Sequence, residues 1–218
     1  MIPTPTRQEI DHRTIKLIVG IIAISLPFLT ALLAANRITS ISDSYYEVGW
    51  SHSFFTGFLF AIAAFMCAYN GVSRVEMVLS KIASLAGLGI ALFPCRCGDH
   101  PELIPGVHAA SAAVMFLILA YFCDAFLRRA RQKGHVQATI RVVIYAACGI
   151  AILAAIGALA LDHVLHDALS KGVDRFTFYG EATGLIAFGI SWLTASRVLP
   201  GLTRPDERFS PLRQVNPP

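Results

Sequence analysis

The sequence predicts an all-α integral membrane protein, a six-helix transmembrane bundle with the N-terminus and the C-terminus both cytoplasmic. Three observations point there. Of 218 residues, 55% are hydrophobic and only 15% charged, whereas a soluble domain carries roughly a quarter charged. Six apolar runs have the length to cross a hydrocarbon core ~30 Å thick, which takes ~20 helical residues at ~1.5 Å each. Lys and Arg gather in alternate connections between those runs, the bias that marks cytoplasmic loops.

The elements follow in order. Residues 1–14 form a short cytoplasmic segment with Arg7 and Arg13, residues 15–200 the membrane domain, and residues 201–218 a Pro- and Arg-rich cytoplasmic tail. That tail, "TRPDERFSPLRQVNPP", has no apolar core to fold around and is expected to be disordered. Span 1 covers 16–36 and contains Pro27. Its apolar run is longer than that of a cleaved signal peptide, and "LLAAN" is a poor cleavage site, so it is read as a retained helix. Spans 2 to 6 cover 51–71, 78–94, 107–127, 139–161 and 180–199, the third being the shortest.

The charge count fixes the orientation. The termini and the 2–3 and 4–5 loops hold fourteen Lys and Arg residues, and the other three loops hold Arg37, Arg96, Lys171 and Arg175. Cytoplasmic termini therefore fit a multi-pass protein of the inner (cytoplasmic) membrane of a bacterium. The basic strip "RRARQKGHVQATIR" lies at the inner surface, where Arg128, Arg129, Arg131 and Lys133 suit anionic lipid headgroups at ~1 kcal/mol per nearby charge. Asp124, four residues before Arg128, is placed for an i,i+4 ion pair. The strip has neither stacking aromatics nor a recognised fold for nucleic acid, which is excluded as a partner.

Small residues recur four apart within the spans: Gly57 and Ala61; Ala64 and Ala68; Ala83, Gly87 and Ala91; Ala147, Ala151 and Ala155; and Gly180 and Gly184. Such faces let helix backbones approach closely, within the bundle or against a membrane-protein partner or a second copy.

Most chemistry-bearing residues fall on the opposite, extracytoplasmic rim. In "FPCRCGDHPELIPGVH", Cys95, Cys97, His100 and His108 are soft or borderline donors for zinc or copper. In an oxidising compartment Cys95 and Cys97 can instead pair, closing a very small ring suited to redox use. A plain structural loop is the third reading. Cys67, Cys123 and Cys148 lie inside spans as small apolar residues.

In "LDHVLHDALSKGVDRF", continuation of span 5 as a helix would set Asp162, His163 and His166 on one face. That is ligand geometry, with a carboxylate able to orient an imidazole. It also suits a proton-relay pair titrating near pH 6.5, or an amphipathic helix resting on headgroups. His52 and His108 stand at the mouths of spans 2 and 4 and could complete such a site. Asp43 and Glu181 are further rim carboxylates, Glu181 favourably placed at a helix start. No nucleophile elbow, H-E-x-x-H or phosphate loop occurs.

"SISDSYY", "FTGFLFAIAAFMCAYNG", "GLGIALFP" and "HAASAAVMFLILAYF" resemble the DRAM/Frag/Sfk type of six-span membrane protein. These stretches, with "GEATGLIAFGISWLTAS", are also similar to the uncharacterised bacterial six-span family with an "FP…H…A…F" signature. The likeness covers roughly residues 15 to 200 and implies a six-helix bundle, N-in and C-in, of a type linked to lipid remodelling and trafficking. A more distant likeness, to membrane hydrolases of the alkaline-ceramidase kind, implies zinc held by His and Asp. This chain departs from it in having H-x-x-H rather than H-x-x-x-H, and the CRC insertion belongs to neither pattern.

Three functions remain in play. The chain is read first as a lipid-interacting, accessory or scaffold bundle, since no catalytic motif is complete. The alternative is a metal-dependent lipid hydrolase or transferase, with zinc lowering the pKa of a bound water. The second alternative is a small proton-coupled transporter, although no charged residue sits near the middle of a span.

Overall fold

The computed structural model describes residues 11–97 and 100–209. Among these, seven α-helices carry most of the chain: α1 (His12–Leu33), α2 (Trp50–Ala68), α3 (Arg74–Leu92), α4 (Val107–Arg131), α5 (Val136–Val164), the short α6 (Ala168–Gly172) and α7 (Phe176–Ser196). Two 3-10 turns occupy Ser42–Tyr45 and Pro205–Glu207. The described residues contain no β-strand, only an isolated bridge between Cys97 and His100.

The helices begin where the sequence supplies caps. The Asp11 carboxylate accepts from the Arg13 N–H at 2.8 Å, Ser73 from Glu76 at 3.2 Å, and the His135 ring Nδ1 from Ala138 at 3.1 Å. Each satisfies one of the orphan donors of a first helical turn. Gly106 precedes α4 with φ +79°, a backbone conformation that costs glycine little. Helix α1 runs unbroken through Pro27.

Helices α1 to α5 are each long and apolar enough to cross a membrane. The chain is thus a multi-pass membrane protein. Helix α7 has the length, at 21 residues, but is not one of these five, since Glu181 and several Gly, Ser and Thr residues dilute its apolar character. Packing explains that composition. The long helices form a closed ring in chain order, and α7 completes it by packing on both α5 and α1 and touching α4. Trp192, Phe188, Ser191, Thr194 and Ser196 of α7 are all buried, so α7 faces protein where its neighbours face surroundings.

Close approach is concentrated at the α1–α7 seam. A Cβ added at Gly189 would lie 2.8 Å from the Gly20 carbonyl oxygen and 3.1 Å from the Ile24 nitrogen. The expected faces contribute unequally. Gly87 packs against Ala63, Gly180 against Leu159 and Gly184 against Phe116, whereas Gly57 meets nothing within 4 Å. Side-chain hydroxyls add links between helices: Ser51 donates to the Thr30 carbonyl at 2.9 Å and Ser84 to the Ala63 carbonyl at 2.7 Å. Such bonds satisfy polar groups that lipid cannot.

Ring order sorts the connections. The α1–α2, α3–α4 and α5–α7 connections share one end, the cysteine end. The α2–α3 and α4–α5 turns, the start of α1 and the chain beyond α7 share the other, the arginine end. Residues 201–209, expected to be disordered, instead fold back on the arginine end. Phe209 N–H donates to the Arg197 carbonyl at 3.1 Å, Thr203 is buried, and Arg141 donates to the Leu202 carbonyl at 2.9 Å. The rest of the tail, 210–218, lies outside the described residues, as do 1–10.

Candidate functional site

At the cysteine end, three segments meet on Ser42. Its hydroxyl lies 3.0 Å from His108 Nε2 and 3.1 Å from Glu181 Oε1. Glu181 Oε2 accepts the Ile41 N–H at 2.5 Å, and His108 Nδ1 lies 2.8 Å from the Phe93 carbonyl oxygen. Ser42 and His108 are buried, and Glu181 is partly so.

Proton positions follow from these partners. A carbonyl oxygen only accepts, so Nδ1 of His108 carries a proton. If the imidazole is neutral, Nε2 accepts from Ser42, whose contact with Glu181 then requires a protonated carboxyl. If Glu181 is ionised, Ser42 donates to it and Nε2 must hold the proton. Either way the trio shares one proton and is uncharged overall, which suits a site with little water. The arrangement differs from a catalytic triad, where the carboxylate orients the imidazole rather than the serine.

Around this clasp, the Cys95–Cys97 loop is pinned to the 3-10 turn. Cys95 and Cys97 are paired in a disulfide, with Cα atoms 5.4 Å apart. The Tyr46 hydroxyl donates to the Cys95 carbonyl at 3.0 Å, and its ring stacks on His100 at 4.0 Å. Burial, with Tyr45 and Glu102 nearby, pushes the Tyr46 phenol above its ordinary pKa. Among the described residues, the one set of three His, Cys or carboxylate donors within 4.8 Å of one another is Asp43, Cys95 and Cys97. The disulfide leaves that set no thiolate while it stands, and Asp43 Oδ2 already accepts from Thr39 N, Thr39 Oγ1 and Ser40 N.

The candidate zinc ligands do not assemble. Helix α5 stops at Val164, and His166 has φ +56°, so His163 and His166 do not share a helix face. Both imidazoles are exposed. Asp162 is spent on structure: its Oδ1 accepts from the Leu169 and Ser170 N–H groups at 2.8 and 3.1 Å and starts α6. His52 Nδ1 lies 2.5 Å from the Tyr45 carbonyl, and His108 belongs to the Ser42 clasp.

The arginine end holds a second, larger feature. A cleft of about 160 Å³ is lined by six cations: Arg13, Lys16, Arg129, Lys133, Arg141 and Arg197. They come from α1, α4, the α4–α5 turn, α5 and the end of α7, so the ring itself gathers them. Two carboxylates offset them. Glu76, 5% exposed on α3, pairs with Arg129 at 2.6 Å. Glu207 pairs with Lys133, with Arg141 at 3.3 Å and with Arg197 at 3.5 Å. Burial pushes the Glu207 carboxyl up, but the hydrogen bond from Lys133 and the charges of Arg197, Lys133 and Arg141 outweigh it and hold the group at about 2.

Of the four basic residues expected to meet headgroups, Arg129 and Lys133 line this cleft, while Arg128 and Arg131 are exposed outside it. Arg128 pairs with Asp124 at 2.9 Å, as the i,i+4 spacing predicted. Lys16, Arg141, Arg197, Glu76 and Glu207 went unread as site residues. They lie far apart in the chain and meet only when the ring closes.

No family model, curated protein or solved structure matches the chain. The resemblance to the DRAM/Frag/Sfk type therefore rests on the quoted stretches alone.

Proposed function

We propose that the chain is a six-span, lipid-interacting accessory bundle of a bacterial inner membrane, with α7 as the sixth span and the arginine end in the cytoplasm. The observation behind it is the gathering of six cations at one end of an apolar ring, level with where headgroup phosphates lie if the helices span. The cysteine end fits the opposite side, since a disulfide persists in an oxidising space. The engagement of Asp162, His52 and His108 in structural bonds favours this reading over the zinc-dependent lipid hydrolase.

The test is to extract the protein with its surrounding lipid into polymer nanodiscs and measure the retained lipid by mass spectrometry. Anionic lipid is expected to be enriched over the bulk membrane, and less so after joint replacement of Arg128, Arg131 and Lys133 by Gln. Retained lipid that mirrors the bulk composition would refute the reading. Stoichiometric zinc or copper that disappears on His163→Ala or His166→Ala would support the hydrolase instead.

One observation favours the transporter as a second reading: the Ser42 hydroxyl lies within hydrogen-bond distance of two titratable groups, Glu181 and His108, at 3.1 and 3.0 Å. Proton flux in liposomes abolished by Glu181→Gln would support it, and flux no faster than protein-free vesicles would remove it.

A further inference from the structure

We propose that the cleft lined by Arg13, Lys16, Arg129, Lys133, Arg141 and Arg197 is a binding site for a phosphate-bearing anion, and that Glu207 is its resident intramolecular competitor. The location at headgroup level rests on the orientation proposed above; the cleft and its contents do not.

The charge balance comes first. Six cations line the cleft, while Glu76 and Glu207 are the carboxylates paired with them among the described residues. Lys16 makes no ion pair or hydrogen bond among the described residues. Its ammonium rests over the rings of Phe126 and Tyr69 at 5.2 and 5.5 Å, and it lines the cleft. A part-buried cation of this kind is costly without a partner. Arg13 is likewise held by a ring, that of Phe209, at 5.9 Å.

Glu207 shows what the site accepts. One carboxylate has two oxygens and faces Lys133, Arg141, Arg197 and His135. Arg141, 2% exposed, offers both terminal nitrogens to the single oxygen Oε2 at 3.3 Å, so its guanidinium faces one oxygen where a phosphate would present two. His135 adds a donor left over. Its Nδ1 accepts from Ala138, so in the neutral ring the proton sits on Nε2. That Nε2 is buried, has no hydrogen-bond partner and lies 3.8 Å from Glu207 Oε2.

A phosphate group carries more oxygens and up to about −2 charge against −1 for the carboxylate. It therefore matches the surplus of donors and positive charge better than Glu207 does. The glutamate sits on a short 3-10 turn, Pro205–Glu207, in the segment that leaves α7, so it can leave without unfolding a span.

The shared chemistry is the phosphate group, and two sources carry it: a phospholipid headgroup or free phosphate. The full chain is placed in phosphatidylcholine nanodiscs and titrated with inorganic phosphate by equilibrium dialysis. In parallel it is placed in nanodiscs containing phosphatidic acid, and bound lipid is counted by native mass spectrometry. Glu207→Gln is expected to tighten binding about tenfold or more, because the cleft no longer has to be vacated first. Lys16→Gln and Arg197→Gln should each weaken it about tenfold or more, the scale of a charge-assisted contact.

Saturable binding of phosphate itself assigns the free anion, and binding of phosphatidic acid alone assigns the headgroup. The proposal is overturned if neither ligand binds the Glu207→Gln protein. It is equally overturned if Lys16→Gln and Arg197→Gln bind like wild type. Retention of phosphatidic acid that falls only on Arg128→Gln and Arg131→Gln would sink the cleft while leaving general lipid contact standing. Loss of all preference for anionic lipid would sink that broader reading too.

Discussion

Among the described residues, Glu207 is the carboxylate that ties the chain beyond α7 to the cations of the bundle, so pH should release it. Its folded-state carboxyl is held at about 2 against an ordinary value of 4.5. A depressed pKa means stabilisation that is fully present above 4.5 and lost as pH falls from there toward about 2. At ~1.36 kcal/mol per tenfold, the gap from 4.5 to about 2 is on the order of 3 kcal/mol, roughly a few hundredfold in the docked-to-undocked ratio. The Glu207 side chain is 16% exposed and its cationic partners line an open cleft, so solvent screens part of this and the figure is an upper bound. The charged or titratable groups facing it are Lys133, His135, Arg141 and Arg197.

The assay is amide hydrogen exchange of residues 202–209, expressed as protection factors so that the intrinsic pH dependence of exchange cancels. Reporters include the Phe209 N–H on the Arg197 carbonyl and the Glu207 N–H on the Arg204 carbonyl, at 3.1 and 3.0 Å. Wild type should hold steady protection from pH 7 to 5 and lose it below about 4.5. Glu207→Gln should already be weakly protected at pH 7 and change little on acidification. Parallel curves for the two proteins would show that the cation cluster does not hold the segment.

Three further outcomes check other parts of the structure. Gly189→Ala should lower stability in thermal unfolding by about 1–3 kcal/mol, because two of the atoms its Cβ meets are backbone and cannot rotate away; Gly57→Ala, facing open space inside α2, should instead raise it by up to about 1 kcal/mol. Ser42→Ala removes the hydroxyl shared by His108 and Glu181 and should cost about 1–3 kcal/mol in the same measurement, with Ser42→Thr retaining more than Ala. Asp162→Ala should expose the Leu169 and Ser170 amides to fast exchange, without changing bound metal content.

How much of this was legible in the sequence depends on how local each signal is. Apolar runs are local, so helices α1 to α5 were readable. The i,i+4 pair of Asp124 and Arg128 was readable for the same reason. Helix ends were less so: reading span 5 onward through His166 assumed a helix that stops at Val164, and one turn of misjudged length separated the supposed ligands. The small-residue stripes named Gly57, which packs on nothing, and passed over Gly20 and Gly189, because spacing along one helix does not say which face meets another.

The two polar sites needed ring closure to be seen at all. Ser42 and Glu181 are 139 residues apart, and Lys133 and Glu207 are 74 apart. No window on the chain contains either pair. One clue was present, however. Helix α7 is long enough to cross a membrane yet too polar to pass as a lipid-facing span. A helix with that composition must find protein on several sides, and its two ends are then the places where distant polar residues converge. Glu181 lies near its start and Arg197 just past its end. The one long helix that falls short of a candidate span thus points to both sites, and the loop rich in Cys and His, chemically louder, points to one.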